Sequence, residues 1–96
     1  MPISLVLHDP DLGGPEGETA FFDAIFEVAP THWRIRPDAT LIGTDLSPAY
    51  LRDHLRRALD RAGVPPGLLL LTPLDAEAAW HGLPPEGEAW IAGEAD

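Results

Sequence analysis

His8-Asp9-Pro10-Asp11 places an imidazole and two carboxylates close together directly after an apolar run. Carboxylate oxygens are the donors a hard cation such as Mg²⁺ takes, so this tetrad, Asp9 included, is a candidate cation site. Asp-Pro-Asp is equally ordinary loop chemistry, and an aspartate at a strand end commonly accepts hydrogen bonds from the loop backbone that follows. The histidines His8, His32, His54 and His81 do not extend the tetrad into a metal site, because no H-E-x-x-H or H-x₃-H spacing occurs. Cysteine is absent, which removes thiolate metal sites and disulfides.

A second constellation lies on a segment of period two. His32, Arg34 and Arg36 alternate with Trp33 and Ile35, so the three basic side chains share one side of a half-buried strand. Cations beside an aromatic ring can stack on or pair with nucleic acid. The chain as a whole argues against that partner: its formal net charge is -10, the reverse of the balance a duplex-binding protein shows. His32, Trp33, Arg34 and Arg36 therefore read as a binding face for protein, or as an ion-paired surface. The charge is also unevenly placed. Residues 1–33 carry -6, residues 34–61 carry +2 and residues 62–96 carry -6. Acidic charge of this kind keeps a small protein soluble, and it also suits a partner with a basic surface.

Composition closes several other routes. There is no lysine, hence no phosphate-binding P-loop, no Schiff-base chemistry and no lysine base. Of the two serines, Ser4 and Ser47, the second occupies a helix-cap position, which argues against a serine nucleophile. No long apolar run suggests a membrane span. No basic n-region marks a signal peptide, so a cytoplasmic protein is expected.

The elements that must position these groups follow from period and punctuation. Residues 3–7 are a compact apolar strand stopped at Pro10. Residues 11–17, Asp-Leu-Gly-Gly-Pro-Glu-Gly, read as a loop. Residues 19–29 read as a helix capped by Thr19, with Phe21, Phe22, Ile25, Phe26 and Val28 on its apolar side. Residues 31–36 and 39–44 form a hairpin about Pro37-Asp38. Ser47 caps a second helix that has Pro48 at its first position, Leu51, Leu55, Ala58, Leu59 and Ala62 facing inward, and Gly63 as its stop. Asp53 and Arg57 are spaced for an i,i+4 ion pair. Arg52, Arg56 and Arg61 read as a solvated face. Residues 68–71 form the next strand after Pro65-Pro66-Gly67, and residues 88–92 read as a further edge strand. Trp80 and Trp90 read as packing anchors.

The order strand, helix, strand, strand, helix, strand predicts an α+β protein. It is read as a single ferredoxin-like domain over residues 1–96: a βαββαβ sandwich of a four-stranded antiparallel sheet with two helices on one face, plus the C-terminal edge strand. Such a sheet leaves its second face open. A domain of this length buries only about 60–65% of its unfolded surface, so a homodimer through that open face is expected.

The stretch Ala39-Thr40-Leu41-Ile42-Gly43-Thr44-Asp45-Leu46-Ser47-Pro48, with Leu51-Arg52-Asp53-x-Leu55 and Ala78-Ala79-Trp80-x-Gly82, resembles small ferredoxin-fold proteins. Among these it is similar to the CRISPR-associated endoribonuclease that serves as the dimeric subunit of the spacer-integration complex. The resemblance covers roughly residues 31–82. It implies a homodimer packed through sheet faces, with the C-terminal strand joining the partner's sheet. It also implies that Asp9, matching the family's aspartate at the end of the first strand, faces its copy across the dimer axis and holds Mg²⁺. His8 stands where that family usually has tyrosine, Pro10 follows Asp9 directly, and the basic surface is lacking.

The leading expectation is a homodimeric binding or regulatory module without catalysis and without a cofactor. The alternatives are a Mg²⁺-dependent endonuclease and an acidic partner protein of the antitoxin or immunity type.

Overall fold

A computed structural model describes residues 2–65, 67–75 and 77–95. The elements run β1 (Ile3–His8), α1 (Gly14–Val28), β2 (Thr31–Arg36), β3 (Ala39–Gly43), α2 (Pro48–Arg61), β4 (Leu69–Leu74) and α3 (Pro85–Ala95). The four strands form one antiparallel sheet in the order β2-β3-β1-β4. The expected α+β class and four-stranded antiparallel sheet are therefore present, with three helices among the described residues rather than two. Among the described residues, no helix is long and apolar enough to cross a membrane.

β1 lies at the centre and feeds two layers by simple alternation. Val6 stands opposite Thr40 and Leu71, and Leu5 opposite Leu41 and Thr72. Val6 packs with Ile42 beneath α1 and α2, in a core that includes Phe21, Ile25, Leu51 and Leu55. Ile3 and Leu5 face the other way, into a smaller cluster with Leu41, Trp33, Trp90 and Ile91.

α2 forms where cap, proline and apolar period agree. Ser47 Oγ accepts from Tyr50 N at 3.2 Å, Pro48 opens the helix, and Gly63 follows it with φ 76°. Thr44, just upstream, ties the layers together: its hydroxyl donates to the Val28 carbonyl at the end of α1 and accepts from Leu46 N.

Several expectations are corrected. α1 starts at Gly14, five residues before Thr19, so Thr19 lies inside the helix and Asp11–Gly17 is only partly loop. Pro15 occupies the first turn, Gly13 is the N-cap, and Asp11 Oδ1 accepts from Gly14 N at 3.1 Å in the turn that leads in. The edge strand expected at residues 88–92 is helix α3. Gly87, Trp90, Ile91 and Glu94 recur at helical spacing and are its less exposed side, while Trp90 and Ile91 are adjacent, which breaks a strand period. Pro84 O accepts from Gly87 N and Glu88 N to close its first turn. Asp53 pairs with its neighbour Arg52 at 3.0 Å, not with Arg57. β4 runs on to Leu74, with Pro73 tolerated because this strand is at the sheet edge. Of the Pro65-Pro66-Gly67 connector, Pro66 lies outside the described residues.

The open sheet face on which the homodimer expectation rested is not open around Trp33. α3 lies across it. Gly87 sits on the Trp33 ring so closely that any Cβ there would overlap it, and Trp90 Nε1 donates to Thr31 Oγ1 at 2.7 Å. At the far end of the same face Leu70 remains 47% exposed.

Candidate functional site

His8 ends β1 with its side chain turned into the helix layer and only 1% exposed. Its Nδ1 is 3.0 Å from the Asp9 carbonyl and its Nε2 is 3.0 Å from Thr40 Oγ1. A carbonyl only accepts, so Nδ1 carries the proton and Nε2 accepts from the threonine hydroxyl. The ring also packs 4.7 Å from Phe21. Burial holds its pKa below the ordinary histidine value. His8 is thus a neutral pin joining the end of β1 to β3.

The next residues turn outward. Asp9 is exposed and its Oδ2 accepts from Leu68 N at 3.3 Å, bridging β1 to the segment entering β4. Gly67 makes this possible, since a Cβ there would overlap Asp9 Oδ2. Leu12, Gly13 and Gly14 then all take positive φ, 50°, 77° and 86°. For leucine this costs on the order of 1 kcal/mol, offset by burial of its side chain at 3% exposure in the main core. Gly17 completes the coil, because a Cβ there would overlap the Leu12 carbonyl oxygen.

This turn forms one wall of a cleft of about 750 Å³. Asp9, Pro10, Asp11, Leu12 and Gly13 supply that wall. Arg52, Arg56, Leu59 and Asp60 of α2 supply the second, and residues of 64–69 leading into β4 supply the third. Arginine, aspartate and apolar residues therefore line one space. Such a mixture suits the binding of a small polar ligand.

The metal reading of Asp9 calls for a carboxylate from each of two copies, and one chain supplies only its half. Among the described residues, no group of three or more His, Asp or Glu side chains could hold a metal ion. His8 has both ring nitrogens engaged, and Asp9 Oδ2 holds Leu68.

The second constellation is divided by the sheet. His32 and Arg34 lie on the α1 side. His32 is half-buried, with ring centroids 5.4 Å from Phe22 and 4.8 Å from Phe26, and its burial lowers its pKa. Arg34 donates from Nη1 to Glu18 Oε1 at 2.7 Å and from Nη2 to the Pro37 carbonyl at 2.8 Å, and its guanidinium lies 5.0 Å over the Phe22 ring. Trp33 lies on the opposite side beneath α3. Arg36 is exposed beyond a bulge between Arg34 and Arg36. These four residues do not share one surface.

The reading of Arg52, Arg56 and Arg61 as a solvated helix face did not anticipate that Arg52 and Arg56, with Asp60, line the cleft. Their spacing of four residues was the available signal, since it puts all three on one stripe of α2. Trp90 does anchor packing, within the chain, whereas Trp80 is 49% exposed.

Comparison of the chain with protein-family models, with curated proteins and with solved structures gave no match. Nothing in those comparisons bears on the resemblance to the CRISPR-associated endoribonuclease.

Proposed function

We propose that this chain is a small, non-catalytic binding module on the ferredoxin-like plan, with its ligand site in the cleft at the end of β1. The plan is supported by the strand order β2-β3-β1-β4, which places each βαβ unit astride a strand of the other. It is supported also by α1 and α2 sharing one core on one side of the sheet. α3 is then an addition that covers the reverse face, so the module does not need a second copy to shield Trp33.

The observation that carries the binding reading is the cleft, whose about 750 Å³ falls in the range of small-molecule sites, about 300–1,000 Å³. The groups best suited to acid–base work beside it are engaged in structure. His8 is buried and neutral, and Asp9 and Asp11 each hold a backbone N–H. That favours recognition over turnover.

The experiment is a ¹H–¹⁵N chemical-shift survey with a set of neutral, acidic and basic fragments. Shifts clustering on residues 9–13, 52–60 and 64–69 are expected. Shifts that cluster elsewhere, or none for any fragment, would refute the assignment.

A further inference from the structure

We infer that the cleft takes a short zwitterionic peptide with apolar side chains, its carboxylate toward Arg52 and Arg56 and its ammonium toward Asp9 and Asp11. The inference rests on the cleft being the ligand site. Its first support is charge placement. Arg52 and Arg56 are one turn apart on α2, about 6 Å in rise, so both guanidinium groups can address one carboxylate. Arg56 has no ion pair among the described residues, and Arg52 has only its exposed contact with Asp53, a kind of pair worth little. The sign of the wall then reverses. Asp60 follows one turn further along α2, and Asp9 and Asp11 line the same cleft from the turn after β1.

The two loop carboxylates are also partly free. Asp9 binds backbone through Oδ2 and Asp11 through Oδ1. Among the described residues, Asp9 Oδ1 and Asp11 Oδ2 accept no hydrogen bond, which leaves one oxygen on each for an ammonium. Holding the other oxygen fixes each carboxylate before a ligand arrives, which lowers the ordering cost of binding.

The remaining ligand chemistries fit less well. A nucleotide or other polyanion would meet Asp9, Asp11 and Asp60, and a simple polyamine would meet both arginines. A free amino acid would satisfy both ends but leave most of the cleft to water. Leu59, Val64 and Leu69 give the same cleft an apolar lining, which calls for apolar side chains on a peptide.

The test titrates the ¹⁵N-labelled full chain with the dipeptide Leu-Leu, with N-acetyl-Leu-Leu, with Leu-Leu amide and with inorganic phosphate. Leu-Leu should give saturable shifts at residues 9–13, 52–60 and 64–69, and each capped form should bind at least about tenfold more weakly. Arg56→Gln should weaken Leu-Leu by a similar factor while changing binding of the amide little, since the amide has no carboxylate to lose. Equal binding of free and capped peptides, or phosphate binding as tightly as Leu-Leu, overturns the inference. If no peptide shifts the cleft but the neutral, acidic or basic fragments do, the zwitterion assignment falls and the cleft stands. If neither does, both fall.

Discussion

Two glycines in one helix should respond in opposite directions to the same substitution. Gly87 and Gly93 both lie in α3, where alanine is intrinsically favoured over glycine by about 0.5–1 kcal/mol. At Gly93 a Cβ meets nothing within 4 Å, so Gly93→Ala should stabilise the protein by about 0.5 kcal/mol. At Gly87 a Cβ would overlap Cη2 and Cζ3 of Trp33 and stand 2.9 Å from Cζ2, where ordinary contact begins at 3.4 Å. The ring is packed with Ile3, Leu41 and Ile91, so α3 must lift or the indole must leave its place. Overpacking of this kind costs about 1–3 kcal/mol. For a chain of this size each kcal/mol shifts Tm by about 4–8 °C, so Gly87→Ala should lower Tm by roughly 4–24 °C. Thermal unfolding followed by circular dichroism measures both variants. Trp33→Leu removes the obstructing ring, and in that background the cost of Gly87→Ala should largely vanish. If Gly87→Ala raises Tm as Gly93→Ala does, α3 is not seated on Trp33 and the account of the covered face is wrong. An equal cost of Gly87→Ala with and without Trp33 would refute the named contact.

Two further outcomes follow from the β1 end. His8 and His32 both have pKa values lowered by burial. Near and below about pH 6.5 the unfolded chain takes up protons that the folded chain resists. Stability should therefore be flat above pH 7 and fall as pH drops through 6.5, by at most about 1.4 kcal/mol per pH unit from His8; urea unfolding that shows constant or rising stability from pH 7 to 5.5 would contradict it. Gly67→Ala should displace the Asp9 carboxylate from Leu68 N. Because Asp9 is exposed and can swing outward, the cost should stay near that of one hydrogen bond, about 0.5–1.5 kcal/mol. It should not add to the cost of Asp9→Ala in a double-mutant cycle.

What could be read from the sequence was whatever local signals agreed on. At α2 the Ser47 cap, Pro48, the leucine spacing and Gly63 all point to the same helix, and its bounds follow. At residues 31–36 the period of two places Trp33 opposite His32 and Arg34 before any contact is known. α1 defeats the same approach, because Gly-Gly-Pro-Glu-Gly has the composition of a connector. It is helical from Gly14 because Leu12 is buried in the core and Gly17 lets the Leu12 carbonyl approach, both tertiary causes. α3 carried a readable 87/90/91/94 pattern, but its reason for being where it is, the fit of Gly87 on Trp33, joins distant parts of the chain. The cleft was the least legible feature. Arg52 and Arg56 are solvated when α2 is considered alone, and become a wall only when the turn after β1 and the segment before β4 come to face them.

The same alternation along β1 accounts for both the cleft and the covered face. Ile3 and Leu5 give the α3 side its floor, while Val6 and His8 belong to the helix layer. A strand with that parity must turn His8 inward, where burial keeps it neutral and Thr40 and the Asp9 carbonyl satisfy both nitrogens. Holding the Asp9 carbonyl at His8 leaves the Asp9 side chain free to reach Leu68, and that contact brings the β4 entry against the turn. The imidazole and carboxylate that looked like a reactive pair are therefore the groups that build the walls. On the proposed reading, charge for recognition would come from the second oxygens of Asp9 and Asp11 and from Arg52 and Arg56, of which only Arg52 has an ion pair among the described residues. That division between residues that form the cleft and residues that line it is what supports the proposed binding role.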